Sequence, residues 1–228
     1  MVYDSGIIKT IHKIIKKTKC PVVVDPIIKS TTGTILLKKS AMNDFKKKII
    51  PLATIITPNK KEAKILSGQN SSLMAARRIQ ELGAKNVIVT GSDETKNSMT
   101  DLILEVNREY ILKGKKIKSI NHGSGCNYSA SITVSLAMKK TIHDSALFAK
   151  EYVLQSIKNS KSIGKGINIT FTEQSDIHKE LSHSIVVFQN IKNISNFIPE
   201  CQTNFVFSKI KAKRISDVLG ISGRLVKS

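Results

Sequence analysis

The stretch richest in usable chemistry is Ile120 to Thr133, reading INHGSGCNYSASIT. Gly123, Ser124 and Gly125 lead directly into Cys126, and an apolar run follows at once with Ala130, Ile132, Val134, Leu136 and Ala137. Two glycines around a serine let the backbone turn tightly with its N–H groups exposed. A helix beginning there adds unpaired amides and the positive end of its dipole. Together these make an anion site suited to a transferring phosphoryl group. Cys126 falls in the first turn, where a thiol's pKa is lowered, and could take a proton from a substrate hydroxyl. The same residues also fit a plain glycine turn with a serine N-cap and a buried cysteine, since short glycine-rich turns are weak motifs.

Two further positions carry candidate chemistry. Asp25 closes the run Pro21-Val22-Val23-Val24-Asp25-Pro26. Three successive valines read as a buried parallel strand, and ligands gather outside the carboxyl ends of such strands. An Asp before Pro is equally a common turn starter. In Thr57-Pro58-Asn59-Lys60-Lys61-Glu62, Asn59 and Glu62 have the spacing of a capping box. They would also stand together at a strand's carboxyl end, where a nucleotide's Mg²⁺ could be held through waters. Capping alone explains the pair as well.

The elements that must position these residues follow from the apolar pattern. Ser5 to Lys19 has Ile7, Ile8, Ile11, Ile14 and Ile15 at helical spacing. Lys29 to Thr34 is a polar loop, and Ser40 to Ile50 a helix with Met42, Phe45 and Ile49 inward. Pro51 to Ile56 is a strand. Ser71 to Leu82 is a helix closed by Gly83. Asn86 to Thr90 is another buried strand, with Gly91 beyond it. Three strand–helix units in sequence predict an α/β fold with a parallel sheet. Leu102, Leu104 and Val106, the turn Asn107-Arg108, then Tyr110 and Leu112 predict an antiparallel hairpin at its edge. The helix after Cys126 runs to Lys139 and another spans His143 to Ser160, and Ile163 to Gly166 ends that block. Beyond it lie a linker, a helix over Ile177 to Ile194, a turn and a strand within Ile198 to Phe207 and a helical turn at Ser216 to Leu219.

Composition narrows the class. The 228 residues are 40% hydrophobic, enough for a core. No apolar run is long enough to span a membrane, and the N-terminus has no cleavable signal layout. A soluble, cytoplasmic protein is expected. Cys20, Cys126 and Cys201 form neither a disulfide framework nor a zinc pair. The net charge of +20 raises nucleic acid as a partner. The basic residues are scattered, however, and do not interleave with aromatic residues, so no specific nucleic-acid binding is expected.

Taken in order, several anchors resemble the ribokinase-like superfamily, and within it the hydroxymethylpyrimidine/phosphomethylpyrimidine kinases of thiamine biosynthesis. They are VVVDP at Val22 to Pro26, TPNKKEA at Thr57 to Ala63, NVIVTG at Asn86 to Gly91, TDLILE at Thr100 to Glu105, HGSGCNYSASI at His122 to Ile132, AKEYV and IGKG. This family has Cys where most sugar kinases of the fold carry an Asp. The resemblance implies a mostly parallel sheet flanked by helices over residues 1–167, followed by a linker at 168–176. The tail from Ile198 to Val226 resembles the opening of the archaeal thiamine-phosphate synthase domain. That makes 177–228 a short, partial α/β segment. The implied activity is ATP-dependent phosphorylation of hydroxymethylpyrimidine and then of its monophosphate. Carried onto this sequence, Cys126 is the general base and Gly123, Ser124 and Gly125 form the anion hole. Asp25, Asn59 and Glu62 serve ATP and Mg²⁺, with Glu62 acting through water. The partner is a small-molecule substrate, and a homo-oligomer is compatible with the pattern.

The sequence departs from the family at three places. It begins after the family's first strand–helix units, which carry much of the pyrimidine pocket. Thr90-Gly91-Ser92-Asp93 stands where the family has Lys-Gly-Gly-His, and Asn127 stands where Thr is usual. These departures leave a second reading open: a non-catalytic protein that binds thiamine-pathway ligands or regulates the pathway.

Overall fold

Asp4 opens the first helix, α1 (Ser5–Ile15), its carboxylate accepting from the N–H groups of Gly6 and Ile7. The computed structural model describes residues 2–30, 33–117, 121–160, 168–170, 206–208 and 218–220. These residues divide into two compact units. The first comprises Met1–Lys118 and Gly125–Leu154; the second comprises Ser119–Ser124 and Gln155–Ser228.

The first unit is built on one sheet of five strands, in the order β1 (Val23–Val24), β2 (Ile55–Ile56), β3 (Asn86–Glu94), β4 (Ser98–Leu104), β5 (Glu109–Lys115). β1, β2 and β3 are parallel, while β3–β4 and β4–β5 are antiparallel. The expected strand–helix units and the edge hairpin are therefore both present. Successive residues of each central strand enter opposite cores. Ile56, Val87, Val89, Leu102 and Leu104 face a cluster with Ile8, Phe45, Ile49, Leu66 and Ile79. Ile55, Ile88 and Ile103 face a second cluster with Tyr128, Ile132, Ala146 and Ala149. Burial on both faces is why these strands read as continuous apolar runs rather than alternating ones.

Three elements differ from expectation. The segment expected as one helix over Ser40–Ile50 is a chain of short turns. It has a 3₁₀ turn at Lys39–Ala41, α2 (Met42–Asp44), a π turn at Phe45–Ile49 and a 3₁₀ turn at Ile50–Leu52. Pro51 lacks an N–H and cannot continue the α ladder, and Ile50 donates to Phe45 instead. Phe45 and Ile49 still point into the core as expected. The strand expected from Pro51 shrinks to Ile55–Ile56, because Pro51 and Leu52 belong to that 3₁₀ turn. β3 runs past Gly91 to Glu94, since β4 offers Thr100 and Met99 as pairing partners there.

Helices α3 (Lys60–Ser67) and α4 (Ser72–Glu81) follow β2, and α5 (Ser124–Ala137) and α6 (Ile142–Lys158) follow the hairpin. In the second unit β6 (Asn121–His122) pairs in parallel with β7 (Asn168–Ile169). The stretch read as a linker thus opens on a strand. β8 (Val206–Ser208) pairs antiparallel with β9 (Val218–Gly220). Val218 and Leu219, expected in a helical turn, are extended because β8 supplies their hydrogen bonds. The helix expected over Ile177 to Ile194 and the Ile163 to Gly166 terminator lie outside the described residues.

Candidate active site

Asn59 and Glu62 form the capping box that their spacing predicts. The Asn59 side chain accepts from the Glu62 N–H at 2.9 Å, and the Glu62 carboxylate accepts from the Asn59 N–H at 3.0 Å. Capping is not the whole of it. The other Glu62 oxygen accepts from the Ile28 N–H at 3.4 Å, so Glu62 also ties α3 to the chain just beyond β1. Glu62 is only 8% exposed, unusual for a residue in a first helical turn.

Asp25 lies immediately beyond β1. Its carboxylate accepts hydrogen bonds from the Ser129 hydroxyl and the Cys126 thiol, both on α5. Burial outweighs these bonds and pushes the Asp25 pKa up to about 6. Burial likewise raises Glu62 to about 7, helped by the negative charge of Asp25 and opposed by the N–H groups of Asn59 and Ile28. The two carboxylates are therefore close enough to repel.

Thr57 completes the cluster. Its hydroxyl is 3.0 Å from the Ser129 hydroxyl and 3.3 Å from the Val24 carbonyl. Ser129 also lies 3.0 Å from the Gly125 carbonyl. Each hydroxyl has one proton to give and a backbone carbonyl, of Val24 for Thr57 and of Gly125 for Ser129, among its acceptors. Their contact joins Thr57 through Ser129 to Asp25. Cys126 is exposed and in no disulfide, and its thiol turns to Asp25. The alternative of a buried cysteine behind a glycine turn is thereby corrected: Cys126 stands exposed in the first turn of α5.

Gly123 precedes α5 with φ of 90°, a conformation that side chains with a Cβ rarely adopt. Ser124 is the first helical residue, and Gly125 beside it is exposed. Gly125 and Cys126 belong to the first unit with Asp25, Asn59 and Glu62, while Gly123 and Ser124 belong to the second. Asp25, Glu62, Asn59 and Cys126 thus gather around the carboxyl ends of β1 and β2. Thr57 and Ser129 were missed in the sequence. The available signals were the position of Thr57 just past β2 and of Ser129 one helical turn beyond Cys126.

The donor set fits a hydrated cation better than a bare one. Among the described residues no three His, Cys, Asp or Glu side chains cluster as a metal cage. Two carboxylates raised by burial, Glu62 also by the charge of Asp25, would be relieved by a divalent ion whose remaining ligands are water and phosphate.

Comparison with known proteins identifies the family. The phosphomethylpyrimidine kinase family model matches residues 1–170, and the model "Thiamine-phosphate synthase ThiN" matches 180–228. A hydroxymethylpyrimidine/phosphomethylpyrimidine kinase of Aquifex aeolicus is 31% identical over 176 residues, covering 74% of this chain and 69% of that protein. A Bacillus subtilis pyridoxal kinase, solved as an ADP complex, superposes with a TM-score of 0.66 at 29% identity, covering 75% of this chain and 67% of that one. The phosphomethylpyrimidine kinase of Clostridium difficile gives a TM-score of 0.58 at 31% identity, with 69% and 66% covered. The chain thus spans about two thirds of the length of the relatives it matches. Its sheet order, its flanking helices and the match over residues 1–170 place the chain in the phosphomethylpyrimidine kinase family.

Proposed function

We propose that the chain is an ATP-dependent kinase acting on hydroxymethylpyrimidine and on the resulting monophosphate. The observation that carries this reading is the convergence of Asp25, Glu62 and Cys126, with Cys126 in the first turn of α5 and Ser129 one turn further on. Mg²⁺-ATP supplies the phosphoryl group and neutralises part of its charge. Phosphoryl transfer asks a protein mainly for positioning and charge stabilisation, and each residue has a role of that kind. Cys126, its thiol proton passed to the Asp25 carboxylate, takes the proton from the substrate hydroxyl as a thiolate. Asp25 and Ser129 orient the sulfur. The backbone N–H groups of Gly123, Ser124 and Gly125 hold the moving negative charge at the helix N-terminus. Asn59 fixes Glu62, which with Asp25 holds the hydrated cation through water.

In this reading residues 1–167 are the kinase part, 168–176 a connection and 177–228 a thiamine-phosphate synthase-like segment of archaeal type. The substrate is small, so the reading calls for neither nucleic acid nor membrane, and the compartment is the cytoplasm. No helix among the described residues is long and apolar enough to cross a membrane. The test is coupled ADP release with Mg-ATP, supplying hydroxymethylpyrimidine, its monophosphate or pyridoxal in turn. Release that depends on either pyrimidine supports the reading. Release with pyridoxal alone moves the substrate class, and ligand binding without release favours the non-catalytic alternative.

A further inference from the structure

We propose that Asp101 is a positioning residue that ties together the two halves of this site, the Asn59–Glu62 box and the first turn of α5. Asp101 lies on β4, outside the cluster described above. Its carboxylate is 5% exposed and pairs with Lys150 of α6, itself 10% exposed, at 2.7 Å. The other oxygen accepts from the Gly91 N–H at 2.9 Å. Gly91 follows Thr90, whose N–H donates to the Pro58 carbonyl at 2.9 Å. Thr90 also forms an isolated parallel bridge with Asn59. Two covalent steps and two hydrogen bonds therefore connect Asp101 to Asn59, the N-cap of α3.

The second arm runs to α5. Tyr128 stands two residues beyond Cys126, and its hydroxyl is buried without an aligned partner among the described residues. Tyr128 belongs to one buried cluster with Leu112, the cross-strand partner of Asp101, and with Ala149, which precedes Lys150. Burial first, then the charge of Asp101 and a hydrogen bond toward it, lift the Tyr128 pKa well above its ordinary value. Lys150 closes the node from the far side. Its stem covers Gly114 of β5 so closely that a Cβ there would come within 2.5 Å of the Lys150 Cε.

A buried ion pair is a poor way to gain stability, because apolar residues of similar volume usually serve as well. What this node does supply is one fixed carboxylate shared by β3, α5 and α6. Its distance to both arms sets where Cys126 stands relative to Asn59 and Glu62. Misplacement of reacting groups by about 1 Å can cost on the order of a hundredfold in rate.

The test uses the full chain with Asp101→Leu and Lys150→Met together, so that no lone charge is left buried, and separately Tyr128→Phe, which removes only the unaligned hydroxyl. Amide hydrogen exchange is read residue by residue. The double variant should speed exchange at Thr90, Gly91, Tyr128 and Ser129 by about tenfold or more, while the core amides of Ile55 and Ile56 hold. Tyr128→Phe should speed exchange at Tyr128 and Ser129 and leave Gly91 unchanged. Exchange that rises in only one arm of the double variant, in no arm, or in step with Ile55 and Ile56 overturns the proposal. So does exchange at Ser129 indifferent to Tyr128→Phe.

A kinetic arm rests on the kinase reading. The double variant should lower kcat and raise KM for Mg-ATP together, by roughly tenfold and threefold, with KM for the pyrimidine unmoved. A partly unfolded sample would lower kcat alone, which would count against positioning. If the unaltered chain shows no turnover, the kinase reading fails while the exchange pattern still decides the role of Asp101.

Discussion

Replacing Glu62 by Gln should make the stability curves of variant and parent cross between pH 5 and pH 8. Glu62 has its pKa raised from 4.5 to about 7, chiefly by burial. The folded chain therefore binds the Glu62 proton more tightly than the unfolded chain does. The stabilisation from that proton is fully present below pH 4.5 and is lost as pH rises through 7. The shift is about 2.5 units, and each unit is worth about 1.4 kcal/mol, so the loss between pH 5 and pH 8 is about 2 to 3 kcal/mol. Gln keeps the shape but carries no titrating proton. It can accept from only one of the Asn59 and Ile28 N–H groups and turns an N–H₂ toward the other, at a cost of about 1 kcal/mol. The variant should be the weaker at pH 5 by about 1 kcal/mol and the stronger at pH 8 by a similar amount. Urea unfolding across this range without nucleotide reads the difference directly. Parallel curves, or a parent that stays more stable than Glu62→Gln at pH 8, would refute the claim that Glu62 is buried against a penalty.

Three further outcomes follow from the same contacts. Asn59→Ala removes the cap of α3 and should cost about 1 kcal/mol in denaturant unfolding; because it also frees Glu62, KM for Mg-ATP should rise while the pyrimidine KM holds. Gly83→Ala should destabilise by more than about 1 kcal/mol, since Gly83 has φ of 108° and a Cβ there would meet Pro51 at 3.0 Å; an unchanged melting temperature would contradict this. Ile88→Ala opens a cavity between the sheet and α5 and α6 and should cost about 2 to 5 kcal/mol in the same urea assay.

Local chemistry was the legible part of the sequence. The Asn59–Glu62 box could be read because both partners lie within one helical turn, and its geometry is independent of the rest of the fold. Asp25 could be placed because a run of valines stopped by Asp-Pro reads as a short buried strand with its carboxyl end there, and β1 is Val23–Val24. Cys126 could be set in a first turn because the glycines and the apolar run bracket it. What the sequence hid was contact between distant segments. The Thr57 and Ser129 hydroxyls meet across 72 residues, and no local pattern records that. The length of β3 depends on where β4 pairs, and the extended Val218 and Leu219 depend on β8. Tertiary pairing overrode propensity in both. The broken helix over 39–52 had a local signal, Pro51, but its choice of a π turn rather than a plain kink follows from keeping Phe45 and Ile49 buried.

The most direct test of the central claim follows the γ-phosphoryl group itself. The chain is incubated with Mg-ATP and hydroxymethylpyrimidine, and the product is read by ³¹P NMR beside Cys126→Ala. Cys126 is exposed and its thiol donates one hydrogen bond, to Asp25, so the substitution should lower the melting temperature only slightly. The account predicts a phosphate ester on the pyrimidine's hydroxymethyl oxygen with the parent, and a rate lower by about a hundredfold or more with Cys126→Ala. Ester formation at an equal rate in the two proteins would contradict the role given to Cys126, and no ester from a folded parent would contradict the kinase itself.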